Sequence, residues 1–286
     1  MSRMERNARK GRTATLACVV VVACLVVAPV AQESGEAARS RTFDQLLDLY
    51  VRSGDVYYRA IKSERARLDS YVNQIATASV EKAPRAEQIA FWLNAYNALV
   101  LRTVADHYPI QGKSSAYPAR SIRQIPGAFD RLPHRVAGRT LTLDQIEQTV
   151  LSGFGDPRVY FALGRGAVGS GRLRSEAFTA ARLDAQLADV AAECVTRAQC
   201  INIDRATGKV AASPIFSWRE KEFAAAYADK APASFSARSS IERAVIAFVL
   251  PTLLATEKEF IVKNTFQVTY TPFDWTLNDL TGRGGR

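Results

Sequence analysis

The pattern of apolar and polar positions is densest at residues 88–102, which read QIAFWLNAYNALVLR. The stretch is apolar almost all the way round a helix, as expected of a helix buried on most of its faces. Two amides interrupt it: Asn94 and Asn97 are three residues apart and therefore share one side of that helix. A buried amide without a hydrogen-bond partner costs about 1–3 kcal/mol. We therefore predict a buried central helix whose two asparagines bond to another segment.

Elements with simpler patterns flank this stretch. Apolar faces at helical spacing predict further helices, and short apolar or alternating runs beside turn residues predict strands. The helices fall at residues 42–51, 60–76, 142–154, 175–194, 218–227 and 239–250, and the strands at 158–163 and 266–270, with hairpins at 135–141 and 201–211. Such a mixture favours an α+β fold: a helix-rich single domain with one modest, mainly antiparallel sheet.

The N-terminal residues read as an export segment. Five basic side chains between residues 3 and 12 precede an apolar run from residue 14 to 31. Three interpretations stay open: cleavage after Ala31, a lipoprotein-like box ending at Cys24, and an uncleaved anchor, since about 18 apolar residues can span a bilayer. All three place the remaining chain outside the cytoplasm, in a periplasmic or extracellular setting. Residues 32–42 read as a linker and 281–286 as a flexible tail.

The net charge of the chain indicates which classes of binding partner to expect. The formal net charge is +10, and residues 1–31 contribute four of these positive charges, which leaves a surplus of six on the rest. That surplus is spread along the chain and favours a small anion or an anionic envelope polymer. Export makes nucleic acid an unexpected partner, and contact with a membrane is expected only through residues 14–31. No cofactor and no oligomeric state is indicated.

Two cysteines remain once the N-terminal segment is set aside. Cys18 and Cys24 lie within it, whereas Cys194 and Cys200 lie six residues apart in the domain. An even count in an oxidising compartment points to pairing. We predict a Cys194–Cys200 disulfide that closes a short loop.

Five motifs carry a family resemblance: FWLNAYNA at 91–98, HYP at 107–109, LDQIE at 143–147, DPRVYFAL at 156–163 and DWTLN at 274–278. Together, and in this order, they resemble the domain of unknown function 547 family, over residues 43–280. The resemblance implies an architecture and a site more readily than a reaction. Members of the family commonly carry His or Cys where this chain has Gln148, Tyr160, Arg165 and Ser170. A Cys/His mechanism is therefore not expected here.

Residues 164–174, GRGAVGSGRLR, form a glycine-rich segment that we call the glycine loop. Its G-x-G-x-x-G spacing follows a predicted strand, but a dinucleotide site needs a helix to begin inside the loop, and Ser170-Gly171 interrupts one. The loop can bind an anion through backbone N–H groups and through Arg165, Arg172 and Arg174. We predict that Arg165 is partly exposed in a concave anion site. The alternative is a close-packed turn whose arginines pair with carboxylates such as Glu176.

Two other chemistries fit poorly. His107 and His134 are the chain's two histidines and lie in no ligand-spaced cluster, so no metal site is predicted. We expect His107 to cap the central helix and His134 to be exposed. Ser170 is not in a G-x-S-x-G context and has no evident base, which argues against a serine nucleophile.

The remaining polar residues at motif positions allow two interpretations. Asn94, Asn97 and Asn278 fit a buried structural network, because buried polar groups must pair. Glu147 and Asp274 could instead serve as acid/base catalysts. Our leading hypothesis is an exported, envelope-associated module, either a binding domain or a degenerate enzyme, with an anion-facing glycine loop.

The alternative is an active hydrolase or transferase on envelope material, and a third possibility is a purely structural domain. Convergence of Glu147, Asp274 and the arginines on one cleft would favour the enzyme.

Overall fold

The computed structural model describes residues 35–281, and its longest helix is the predicted central one, α4 (Arg85–His107). Every residue of α4 from Ile89 to Leu101 is buried. Pro84 precedes the first turn, where a backbone N–H has no helical acceptor to lose. The helix stops before the cis peptide bond of Tyr108 and Pro109. The prediction of a buried central helix is confirmed.

The other elements are mostly short. The remaining α-helices of the described chain are α1 (Gly35–Tyr50), α2 (Tyr58–Ser63), α3 (Ala66–Ala76), α5 (Leu143–Gln145), α6 (Leu183–Thr196), α7 (Pro214–Trp218), α8 (Glu220–Tyr227), α9 (Ser240–Val249) and α10 (Ala255–Lys263). A π-helical segment, Ile146–Leu151, continues α5, and 3-10 turns occupy Ile122–Gln124, Ser152–Phe154, Pro157–Phe161, Ala228–Lys230 and Ala233–Phe235. The strands are β1 (Val51–Arg52), β2 (Asp55–Val56), β3 (His134–Val136), β4 (Arg139–Leu141), β5 (Ile201–Asp204), β6 (Lys209–Ala212) and β7 (Gln267–Tyr270).

Helices from the N-terminal part surround α4. α1, α2 and α3 all pack against it, and α1 also packs against α3. The stacked rings of Phe43 and Tyr71, with centroids 4.5 Å apart, join α1 to α3. The π-helical segment Ile146–Leu151 contacts α4 as well. α4 is thus enclosed by elements that precede it and elements that follow it.

A second group of helices packs around a cluster of phenylalanine rings. Phe161 meets Phe216 and Phe248 at centroid distances of 5.0 and 5.6 Å, and Phe223 lies 4.7 Å from Phe216. Each buried phenylalanine contributes roughly 1.5–3 kcal/mol through the apolar surface it removes from water. Because Phe161 lies three positions before the first residue of the glycine loop, this cluster fixes the point where that loop begins.

The strands are few and form three small sheets within residues 35–281. β1 pairs with β2 and β3 pairs with β4, each antiparallel, and both hairpins predicted from the sequence are present. β5, β6 and β7 form the three-stranded sheet, in which β6 and β7 run parallel. The α+β fold class is confirmed. The single sheet that we predicted is divided into three.

The strand predicted at 158–163 is wrong. Residues Pro157–Phe161 form a 3-10 helix instead. The Asp156 side chain accepts a hydrogen bond from the Arg158 N–H, and Pro157 supplies the fixed φ of a first helical position. A short apolar run of this kind fits a buried helical turn as well as a strand.

The first helix starts earlier than expected. Most of the expected linker, residues 32–42, is helical, because α1 begins at Gly35, and the Thr42 hydroxyl donates to the Ala38 carbonyl within it. The predicted export segment, residues 1–31, and all but the first residue of the predicted tail lie outside the described residues. Among residues 35–281, no helix has both the length and the apolar character needed to cross a membrane.

Candidate functional site

Asn94 and Asn97 attach two loop segments to α4. The Asn94 amide donates to the Phe178 carbonyl at 2.8 Å and accepts from the Phe178 N–H at 2.9 Å. The Asn97 amide donates to the Ala162 carbonyl at 3.1 Å and accepts from the Gly164 N–H at 2.8 Å. The sequence led us to expect two buried amides bonded outside their helix, and both are so placed. They hold each end of the segment that contains the glycine loop.

Arg165 is not the exposed anion ligand that we predicted. Its side chain is buried, with an exposed fraction of 2%. Its Nε and Nη2 atoms donate to the Glu147 carboxylate at 3.1 and 2.6 Å, and its Nη1 donates to the Tyr160 carbonyl at 3.0 Å. All three nitrogens are therefore used inside the protein. The prediction of an exposed Arg165 is wrong.

The charge state of this pair follows from its surroundings. Burial disfavours the charged guanidinium, but the adjacent Glu147 carboxylate outweighs that effect and raises the pKa of Arg165. Tyr96 donates to the same carboxylate at 3.3 Å. Burial, followed by the Glu147 charge, raises the pKa of the Tyr96 phenol well above its usual value. Glu147 thus lies in a neutralised cluster whose donors already fill both of its oxygens.

The glycines of the loop permit close packing. A Cβ added at Gly171 would stand 1.5 Å from the Phe161 carbonyl oxygen, and one at Gly169 would stand 2.7 Å from the Asp274 backbone nitrogen. Gly166 has φ near +65° and turns the chain against Val100 and Ile122 of the core. This inward turn is the physical reason that Arg165 points into the protein. The close-packed interpretation therefore describes the first half of the loop, and no helix starts in it.

Asp274 lies on the surface. Its side chain accepts from the Thr276 N–H at 2.9 Å, and its backbone oxygen accepts from the Gly169 N–H at 2.9 Å. Its chain neighbours Phe273 and Trp275 are aromatic, and their ring centroids are 4.4 Å apart. The acid/base pair proposed from the sequence thus has one member enclosed in an ion pair and the other exposed in a turn.

The second half of the glycine loop does reach an open cleft. Arg172, Ser170 and Asn278 line a cavity of about 340 Å³, together with Arg197, which we had not singled out from the sequence. We call this cavity the arginine cleft. Neither Glu147, Arg165, Arg174 nor Asp274 belongs to its lining. The predicted arginines are therefore divided between the interior and the surface.

Arg172 and Arg174 both pair with carboxylates. Arg172 lies 2.7 Å from Glu193, and Arg174 lies 2.7 Å from Glu176, as the alternative interpretation of the loop expected. The two arginines share a shallower neighbouring pocket of about 370 Å³. Of these two arginines, Arg172 alone also lines the arginine cleft.

Arg197 is fixed at the cleft by the chain around it. Cys194 and Cys200 form the predicted disulfide, with Cα atoms 5.2 Å apart, and Arg197 lies within the turn that it closes. The Arg197 guanidinium donates to the carbonyls of Ser170 and Val168 at 3.0 and 3.3 Å. Burial, and then the nearby charge of Arg172, lower the pKa of Arg197. The one sequence signal for Arg197 was its place between two cysteines.

Two buried polar side chains, those of Ser170 and Asn278, also line the cleft. Ser170 is 4% exposed, and its hydroxyl has no hydrogen-bond partner. This hydroxyl contacts no base, so nothing here activates it as a nucleophile. Asn278 is also buried; it accepts from the Tyr58 hydroxyl at 2.8 Å and donates to the Gly54 carbonyl at 2.8 Å. Asn278 therefore braces the β1–β2 turn against the cleft and lies away from the Asn94 and Asn97 bonds.

The charged groups of the arginine cleft indicate what it can bind. Across residues 35–281, no group of three or more His, Cys, Asp or Glu side chains is arranged to hold a metal ion. Asp55 lines the arginine cleft on the side of the β1–β2 turn. The cleft thus presents two guanidinium groups and one carboxylate, a set suited to hold a small anion.

The comparisons with known proteins give a family. Residues 80–195 match the family described as "Protein of unknown function, DUF547". This match confirms the predicted resemblance for that part of the chain. No curated protein and no solved structure matches the chain significantly. The DUF547 match includes α4, Glu147, the glycine loop and nearly all of α6, whereas Arg197 and Asn278 lie outside it.

Proposed function

We propose that this protein is an exported, cell-envelope-associated domain that binds a small anion, or the anionic groups of an envelope polymer, in the arginine cleft. The observation that carries the proposal is the convergence of Arg172 and Arg197 on one cavity beside a buried, unpartnered Ser170 hydroxyl. Guanidinium groups are the donors that best match phosphate and carboxylate oxygens. A hydroxyl without a partner supplies a further donor.

Electrostatics favours an anion between the two arginines. Burial, and then the charge of Arg172, disfavour the charged form of Arg197 and lower its pKa, against opposing effects of Glu193 and Asp55. An anion placed between the guanidinium groups would relieve this repulsion. Glu193 already holds Arg172 at 2.7 Å, and this contact orients the guanidinium before a ligand arrives. Asp55 also lines the cleft, so a compact anion that can keep away from its carboxylate is favoured.

Export is supported by two features. The basic residues at 3–12 followed by an apolar run have the order of a signal peptide or anchor. The Cys194–Cys200 disulfide fits an oxidising compartment. We accordingly place the domain in the periplasm or outside the cell, with contact to a membrane only through residues 14–31.

The enzymatic alternative gains no support from the arrangement of its carboxylates. A hydrolase using Glu147 and Asp274 needs both near one substrate. Glu147 accepts from Arg165 and Tyr96, and Asp274 is exposed in a surface turn. We therefore favour the binding domain.

The test is titration calorimetry of the purified exported protein with inorganic phosphate and with polyphosphate. Binding should weaken about tenfold or more in Arg172→Gln and in Arg197→Gln, because each charge-assisted hydrogen bond contributes about 1.5–3 kcal/mol. Arg205→Gln is the matched control: it makes the same change in net charge, and Arg205 is exposed in the β5–β6 turn, away from the cleft lining. Equal loss in all three variants would reduce the effect to overall charge and refute the site. Phosphate binding without a gain for polyphosphate identifies a small anion as the ligand.

A further inference from the structure

A second pocket brings together the two histidines of the chain, which are 27 positions apart in sequence. It has a volume of about 380 Å³ and lies between α3, the C-terminal half of α4 and the segment that leads into β3. We call it the histidine pocket. Its lining includes His107 and His134, and it shares no residue with the arginine cleft. A volume of this size is sufficient for a small organic ligand.

Two polar atoms at this pocket have no hydrogen-bond partner. They are Nε of Arg102 and Nε2 of His134, and both are shielded from bulk water. An unsatisfied buried polar group costs about 1–3 kcal/mol. Two such atoms around one cavity indicate a place where a ligand acceptor completes the hydrogen bonding.

The Nε atom of Arg102 makes no hydrogen bond, because a neighbouring arginine takes the close contacts with the nearby carboxylates. Asp69 and Asp106 make their close contacts with Arg65, at 2.9 and 2.6 Å. Arg102 Nε lies 3.5 and 3.4 Å from the same two carboxylates, so it forms ion pairs with them but no hydrogen bond. Two arginines and two aspartates balance in charge, so this cluster has no net negative charge to oppose an incoming anion. Arg135, exposed at the mouth, adds a positive charge.

In this setting His134 is uncharged, and His107 donates a hydrogen bond from a fixed nitrogen. Burial, and then the charge of Arg102, lower the pKa of His134 to about 4, against an opposing effect of Asp106. His134 is therefore an uncharged imidazole at neutral pH, able to donate from Nε2. The Nδ1 atom of His107 lies 2.9 Å from the Thr103 carbonyl, which can only accept, so this nitrogen carries the proton.

The walls of the pocket are apolar. Val72 of α3, Leu99 of α4 and Leu132 of the preceding loop lie beside the polar groups. We propose that the histidine pocket binds a small amphipathic carboxylate. Its carboxylate group accepts hydrogen bonds from Arg102 and His134, and its short apolar body packs against Val72, Leu99 and Leu132. The pocket has a polar end beside an apolar wall, so a purely inorganic anion would contact only the polar end.

The imidazole NMR signals of the full chain provide the test, because the chain has two histidines and His107→Gln identifies the remaining signal. Hexanoate is the probe, and neutral hexanamide is its matched control. Saturable hexanoate binding should shift the His134 signal and raise its pKa, since a bound anion stabilises the imidazolium form. Hexanamide should produce at least a tenfold weaker response.

Asn73 supplies a variant that keeps the core intact. It is exposed on α3 and lines the pocket, so Asn73→Asp places a carboxylate at the mouth without disturbing packing. Hexanoate binding should fall several-fold in Asn73→Asp and stay unchanged in Asn202→Asp, the same change at an exposed position outside the pocket. The proposal is overturned if His134 shows no saturable shift with hexanoate. It is equally overturned if hexanamide binds as well, or if Asn73→Asp binds hexanoate as tightly as the natural chain.

Discussion

The guanidinium of Arg165 meets the carboxylate of Glu147 at two points, Nε to Oε2 at 3.1 Å and Nη2 to Oε1 at 2.6 Å, inside the protein. Such a buried pair adds little net stability over an apolar pair of the same size. Removing one member of the pair is strongly destabilising, because the other charge then stays buried without a partner or water. The two residues therefore act as a unit whose members depend on each other.

We expect Arg165→Ala to lower the free energy of unfolding by about 3–5 kcal/mol, because it leaves the Glu147 carboxylate buried without its partner. Urea denaturation provides the measurement. Arg174→Ala is the control: its pair with Glu176 is partly exposed, so the loss should be about 1 kcal/mol or less. The double variant Glu147→Leu with Arg165→Met should recover most of the stability. A loss below about 1 kcal/mol in Arg165→Ala would contradict the buried pair.

Asn97→Ala should destabilise the domain by about 3 kcal/mol, since it leaves the Ala162 carbonyl and the Gly164 N–H without partners. Asn94→Ala should do the same through Phe178. Chemical denaturation gives both values. Asn73→Ala removes an exposed amide from α3 and should change stability by no more than about 0.5 kcal/mol. Equal effects at positions 73 and 97 would show that the amide contacts do not matter.

Gly171→Ala should prevent folding or cost more than about 3 kcal/mol, because its new Cβ would stand 1.5 Å from the Phe161 carbonyl oxygen, which belongs to the backbone and has no free rotation. Gly153→Ala is the matched change, since no atom lies within 4 Å of the added Cβ at that position. Thermal melting of the two variants separates them. A Gly171→Ala protein that melts like Gly153→Ala would contradict the close approach of these two segments.

Stability should fall as the pH is lowered from about 6.5 to about 4, owing to His134. Its pKa is about 4 in the folded chain and near 6.5 in the unfolded one. Between these values the unfolded state binds a proton that the folded state does not, so acid favours unfolding. The full pKa difference corresponds to a change of up to about 3 kcal/mol in the free energy of unfolding, and partial exposure of the ring makes this change smaller.

His134→Gln should flatten this part of the pH profile, measured by urea denaturation at several pH values, whereas His107→Gln should leave it in place. Arg102, Asp106, Arg135 and His107 are the charged or titratable groups that line the same pocket, and Asp69 and Arg65 lie behind them. An unchanged slope in His134→Gln would show that His134 is not the group that titrates.

Reduction of the Cys194–Cys200 disulfide should lower the free energy of unfolding by about 2 kcal/mol, as expected for so short a closed loop. It should also weaken phosphate binding, because Arg197 lies inside the turn and loses its fixed position. The Arg197→Gln variant is the control: reduction should cost it the same stability with no further loss of binding. Tight binding by the reduced natural chain would exclude the disulfide from the site.

Some of this fold could be read from the sequence, and the reasons differ by element. α4 was predictable because an all-round apolar stretch can only be a buried helix, and its two amides then needed partners. The disulfide followed from two cysteines six positions apart. The 3-10 turn Pro157–Phe161 was missed because an apolar run of five residues carries no period that separates strand from helix.

The site was harder to predict because its parts meet only through the tertiary fold. Whether Arg165 faces solvent depends on Glu147, which lies on the π-helical segment and approaches it across the core. Arg197 belongs to no motif and gains its role from the chain turning back toward Ser170. His107 and His134 share a pocket because the hairpin that begins at His134 packs on α3, beside the end of α4.

The bonds of Asn94 and Asn97 reach only main-chain atoms of the segments they hold, namely Phe178, Ala162 and Gly164. The attachment is therefore indifferent to most side chains between residues 165 and 177. In such an arrangement the backbone path of a loop does not depend on the side chains that give the loop its chemistry. Side chains such as Arg172 and Arg174 can be exchanged while the backbone keeps its course. This makes positions 172 and 174 of the glycine loop a natural place to engineer a different ligand preference without rebuilding the domain.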